Sequence, residues 1–115
     1  MPRVPRGLRP ESAPAAVIQT VARLGANIAA ARINREWRQE DLAAKAGVTR
    51  RVIIRVEEGQ LGVGIGAYVA ALWALGLHQD VADLAGSERD VEGQTLAAAR
   101  LGKRVRPVRE LNDEF

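Results

Sequence analysis

The 115-residue sequence contains no cysteine. Disulfides and thiolate metal sites are therefore excluded, and the composition suits a reducing, cytoplasmic setting. Histidine occurs once, at His78, and serine twice, at Ser12 and Ser87. His78 falls at an expected helix boundary and reads as a cap rather than a base. No carboxylate pair and no metal-ligand spacing can be assembled from the pattern, so the chain is expected to be neither an enzyme nor a cofactor or metal binder. The glycines of LGVGIG, residues 61–66, follow a helix pattern. Without a preceding strand or a lysine they do not form a phosphate cradle. Aromatic residues make up only 3%, which leaves a small aliphatic core whose stability a dimer interface would raise. No apolar run approaches the roughly 18 residues that span a bilayer, so no membrane partner is expected. The opening MPRVPRGLRP has no apolar core of a secretory signal.

What is present is apolar residues at 47% and a net charge of +3, with a sequence pI of about 10.2. The basic balance favours an anionic partner, nucleic acid first. The chain centres on residues 39–59, QEDLAAKAGVTRRVIIRVEEG. Residues 39–46 read as a short helix with Leu42 inward and Ala43 small enough for a close crossing. Gly47 suits a helix stop, because glycine adopts the left-handed conformation without steric cost. Val48 plugs the turn, and Thr49 stands at an N-cap position, where its hydroxyl can satisfy an orphan N–H. Residues 49–58 form the second helix. At roughly 100° per residue, Val52, Ile53 and Val56 fall on one side. Arg50, Arg51, Ile54 and Arg55 fall on the other. A short helix with a core face and a cationic face, held by a glycine turn, fits the major groove of DNA.

Gln39, Leu42, Ala43, Gly47, Val48, Thr49, Ile53, Arg55, Val56, Glu57 and Gly59, at this spacing, resemble the Xre-type helix-turn-helix family of the Cro and lambda-type repressors. The resemblance extends over about residues 24–84. It implies an all-α fold, a five-helix lambda-repressor-like DNA-binding domain with a short C-terminal extension. It also matches Arg32 to the first-helix arginine that pairs with the glutamate ending the recognition helix, here Glu57. Arg38 departs from the family's usual Ser or Thr cap. That weakens the cap and offers a phosphate contact instead.

Around this centre the chain divides into a basic arm (residues 1–13), the helix-turn-helix domain (14–85) and the extension (86–115). The arm carries Pro2, Pro5 and Pro10 with Arg3, Arg6 and Arg9, and nothing in it could bury a core. It reads either as an arm on phosphates or in a minor groove, or as a solvated tail. Pro14 suits the first turn of a helix over residues 15–35, in which Val17, Ile18, Val21, Leu24, Ile28 and Ala31 recur at helical spacing. Gly25 is unfavourable inside it. Trp37 is expected in the core. Ile65, Val69, Leu72, Trp73 and Leu75 mark a further amphipathic helix ending at Gly76, with Tyr68 at its edge. Leu77, Val81 and Leu84 mark a short fifth.

In the extension a helix over residues 92–101 is expected to stop at Gly102. Residues 104–108 then run extended, because Pro107 and β-branched Val105 and Val108 favour that conformation. Asp90, Gly93, Leu96, Arg100 and the run 104–106 are similar to the extensions of HipB-like antitoxins. That resemblance implies a HipA-like kinase toxin as partner; the competing reading is a solvated tail, basic and then acidic.

The DNA-facing set is Arg38, Gln39, Thr49, Arg50, Arg51, Ile54 and Arg55. Arg51 is expected on a base and Arg50 on a base or phosphate, since arginine forks onto guanine O6 and N7. Gln39 is expected to bond a phosphate or brace a base contact, Ile54 to touch a thymine methyl, and Arg55 to reach a base or the backbone. The expected function is a repressor, a homodimer on an inverted-repeat operator of double-stranded DNA, acting as an autoregulating antitoxin. The alternatives are a stand-alone Xre-type regulator without a toxin, and a protein-interaction module, against which the three arginines speak.

Overall fold

Pro14 fixes where the first helix begins. Its carbonyl accepts from the N–H groups of Val17 at 3.0 Å and Ile18 at 3.1 Å, and its own missing N–H would be an orphan there in any case. The computed structural model describes residues 8–105. It contains α1 (Ala15–Asn34), α2 (Gln39–Ala46), α3 (Arg50–Glu57), α4 (Ile65–Ala74), α5 (Gln79–Ala82) and α6 (Val91–Val105). Every regular element among the described residues is a helix, as the all-α expectation requires. Packing divides the chain into Met1–Val81 and Ala82–Phe115.

In the first unit, Ile28 of α1, Leu42 and Ala43 of α2, Ile53 and Val56 of α3, and Tyr68, Ala71, Leu72 and Leu75 of α4 form one buried cluster. Val21, Leu24, Ala31, Trp37, Val48 and Val52 pack at its margin. The α2–turn–α3 segment follows its expected pattern. Gly47 takes φ +76°, and Val48 N–H reaches back to the Ala43 carbonyl at 3.0 Å, the six-to-one bond of a left-handed helix stop. The same bond closes α1, from Trp37 N–H to the Arg32 carbonyl at 3.2 Å. There the left-handed position is held by Glu36, with φ 60°. Nothing in the residue type announces that stop.

The inward face of α4 and the packing of the fifth helix differ from expectation. Tyr68, expected at the edge of α4, is 5% exposed, whereas Ile65 and Trp73, expected inward, are 74% and 57% exposed. The inward stripe is Tyr68, Ala71, Leu72 and Leu75, the spacing of one helical face. In IGAYVAALWA no charged residue marks the outer face, so periodicity alone did not orient it. The fifth helix is a single turn. Val81 packs on the core, but Leu77 and Leu84 are exposed.

In the second unit, Asp90 caps α6 by accepting from Gly93 N–H at 3.0 Å. The helix continues through the expected stop at Gly102 to Val105. Residues 104 and 105 are therefore helical rather than extended, and 106–108 lie outside the described residues. An interior glycine costs a helix about 1 kcal/mol, too little to end it where no left-handed cap is formed. Pro107 restricts only the residue before it.

Gly25, unfavourable by propensity, is buried for a different reason. A Cβ there would lie 2.9 Å from both the Glu57 carbonyl oxygen and the Gly59 nitrogen, and closer still to the Val56 carbonyl oxygen. These are backbone atoms that a rotamer change cannot move. Gly25→Ala is expected to destabilise the protein by about 1–3 kcal/mol through overpacking. Gly66→Ala, on an exposed part of α4 with nothing near its Cβ position, should stabilise it by about 0.5 kcal/mol. Urea denaturation followed by circular dichroism would register the opposite signs.

Candidate nucleic-acid interface

α2 and α3 are joined through Gly47, Val48 and Thr49. The Thr49 hydroxyl accepts from Val52 N–H at 3.2 Å, capping α3. The start of α2 is held differently. Arg38 occupies the N-cap with extended backbone, and a guanidinium has no acceptor to offer the helix. Asp41 reaches back instead, accepting from Arg38 N–H at 2.8 Å and from its Nε at 3.4 Å. Those bonds, the backbone one first, hold the Asp41 carboxyl below its ordinary range.

At the far end of α3 a single carboxylate gathers three helices. Glu57 Oε2 accepts from Arg32 Nε at 2.6 Å, and Oε1 accepts from Arg32 Nη2 at 3.0 Å. Oε1 also accepts from Gln39 Nε2 at 3.0 Å. Arg32 Nη1 donates to the Trp37 carbonyl at 2.8 Å. The side chains of Arg32 and Glu57 are 13% and 8% exposed, and the Glu57 bond raises the Arg32 pKa above its ordinary value.

With its inner face fixed by Ile53 and Val56, both 0% exposed, α3 turns its arginines outward. Arg50 and Arg51 are exposed at the N-terminal end, and Ile54 and Arg55 are half-buried. Arg50 Nε stands 3.7 Å from Glu40 Oε1, a pair more than half exposed on both sides, which contributes little to stability. Arg38 approaches the same carboxylate at 3.9 Å. The Arg51 side chain makes no hydrogen bond or ion pair among the described residues. Arg55 Nε donates to Gln60 Oε1 at 2.9 Å.

Residues 28–64 match the Helix-turn-helix family model. The matched segment runs from within α1 to the N-cap of α4, about a third of the chain. No curated protein and no solved structure was found to match. The helix-turn-helix match supports a DNA-binding transcriptional regulator and agrees with the all-helical fold. No helix among the described residues is long and apolar enough to cross a membrane.

Of the residues singled out from the sequence, Thr49, Arg50 and Arg51 meet at the N-terminal end of the second motif helix, and Arg38 flanks Glu40 beside Arg50. Gln39 turns inward to Glu57, a structural bond that its expected phosphate or base role did not anticipate. Trp37 is half-buried, with Lys45 Nζ 4.8 Å from its ring centre. Sequence reasoning missed Glu40 and Gln60. Glu40 lies ten residues before its partner, on a different helix. Gln60 stands beyond the end of α3, where no periodicity ties it to Arg55.

Removing Glu57 leaves Arg32 nearly buried without its counter-charge. Glu57→Ala is expected to cost about 3 kcal/mol. Glu40→Ala should change stability by less than about 0.5 kcal/mol. Chemical denaturation of the two variants separates the structural carboxylate from the surface one.

Proposed function

We propose that the chain is a dimeric, sequence-specific repressor that reads an inverted-repeat operator with Arg50 and Arg51. The observation that carries this reading is the exposure of both guanidiniums at the N-terminal end of α3, on the helix face opposite Ile53 and Val56. That end of a recognition helix meets base edges in this motif. Ile54, half-buried and outside the core cluster, is suited to a thymine methyl. Arg38 and the capped start of α2 are suited to phosphate.

The dimer reading is supported by apolar surface. Arg35 Nη2 donates to the Leu75 carbonyl at 3.1 Å, holding the ends of α1 and α4 side by side. Ile33, Trp73 and Leu77, at those ends, are exposed. Apolar groups exposed at neighbouring helix ends are available for contact with another chain.

The test is selection from a randomised duplex library, followed by binding to the enriched site. Arg51→Ala should weaken that binding by about 1–3 kcal/mol and relax preference at one position. Unchanged affinity and preference would remove Arg51 from the reading. Light scattering at assay concentration should give twice the monomer mass of 12.4 kDa.

The antitoxin reading extends this one. It is supported by the exposed Leu96 and Leu101 on α6, a helix with apolar groups for a protein partner. Co-expression with a HipA-like kinase should yield a complex that is lost on truncation after Ala85. A chain that binds DNA and no kinase is the stand-alone regulator.

A further inference from the structure

Gln60 lies just past α3, yet it is bonded more heavily than any residue on the cationic face. Its side-chain oxygen accepts from Arg55 Nε at 2.9 Å. Its amide nitrogen donates to Glu58 Oε1 at 2.7 Å. Its backbone N–H donates to the Arg55 carbonyl at 3.1 Å. Its backbone carbonyl accepts from the Tyr68 hydroxyl at 2.8 Å. Tyr68 is buried in the core. An exposed side chain is thus carried on a backbone anchored to α4 from within.

The effect on Arg55 is directional. With Nε committed to Gln60, the plane of the guanidinium is set, and its two Nη groups make no hydrogen bond among the described residues. Nη2 lies over Gly62, 3.9 Å from where a Cβ would stand, so residue 62 adds no side chain beside that edge. Gln60 is a neutral acceptor, so it restrains Arg55 by a hydrogen bond rather than by an ion pair. Arg55 belongs to the last turn of α3, away from the end that meets base edges. A planar fork with a free edge suits a phosphate oxygen.

We propose that Gln60 is a positioning residue that holds the free Nη edge of Arg55 toward a phosphate of the DNA backbone, with Tyr68 anchoring Gln60 to the core. This rests on the DNA-binding reading above. Holding a long side chain in its bound geometry removes an ordering cost from binding. Gln60→Met keeps the size of the side chain and removes the acceptor.

The test measures affinity of the full-length chain for the selected duplex and for a scrambled one, across a salt series. Helical content is checked by circular dichroism. Gln60→Met should weaken binding about two- to tenfold, equally on both duplexes. Arg55→Ala should reduce the slope of log affinity against log salt by about one. The double variant should bind as Arg55→Ala does, because Gln60 acts only through Arg55. A purely structural role for Gln60 would instead give additive losses. Additive losses, wild-type binding by Gln60→Met, or an unchanged salt slope for Arg55→Ala would each overturn the positioning role while leaving DNA binding in place. A wild-type chain that enriches no duplex and binds no duplex at low salt overturns both.

Discussion

Two oxygens of Glu57 hold the arrangement on which the rest of the first unit depends. The carboxylate ends α3, and it takes bonds from Arg32 on α1 and from Gln39 at the start of α2. Three helices are thereby referenced to one point at low exposure. Hydrogen bonds between ionised partners are short and directional, so the pair constrains angle as well as distance. Burial of Ile53 and Val56 supplies attraction but little direction, since apolar contacts tolerate sliding. The ionic bonds set where α3 stops relative to the helices around it, and thereby where its outer face points.

That attachment requires α1 to approach the end of α3 closely, and Gly25 and Gly59 permit it. A Cβ at Gly25 would strike the backbone of α3's last turn, and one at Gly59 would lie 2.5 Å from Ala22 Cα. The crossing is backbone against backbone. The mid-helix glycine looks like a defect when helix propensity is the only criterion. In the folded chain its missing side chain lets Arg32, seven residues on, reach Glu57.

The α2–turn–α3 segment was legible because its residues disagree with one another in a regular way. Arginines and branched aliphatics alternate at helical spacing in α3, and a glycine and a threonine punctuate the turn. Each level points to the same local structure. α4 was not legible to the same degree. Its residues are nearly all apolar, so nothing in the pattern told Tyr68 from Trp73, and the inward face was decided by what α1, α2 and α3 leave open. The apolar pattern of α1 gives its stop to within a residue but not its device, since glutamate rarely holds a left-handed position. In α6, Gly102 looks like a terminator by residue type, but only left-handed cap bonds would end the helix there. Of the candidate site, the arginines' side of α3 could be read from the sequence. Their partners could not, because Glu40 and Gln60 are brought to them by tertiary placement.

Those partners set the three arginines of α3 apart. Arg51 has none among the described residues, Arg50 has a carboxylate, and Arg55 has an amide oxygen. For a face proposed to meet phosphate, the difference is physical. A free guanidinium has its full charge and its full side-chain entropy, and it must be ordered on binding. A carboxylate partner restrains the side chain but offsets its charge, and it competes with an incoming phosphate for the same donors. At 3.7 Å and high exposure, the Glu40 contact with Arg50 is loose enough for a phosphate to replace it. The amide at Gln60 restrains Arg55 through Nε without an ion pair, leaving the Nη edge to the proposed phosphate. The most constrained cation therefore stands in the last turn of the helix, where the proposed backbone contact would need orientation. The least constrained stands in the first turns, where the proposed base contact would select its geometry.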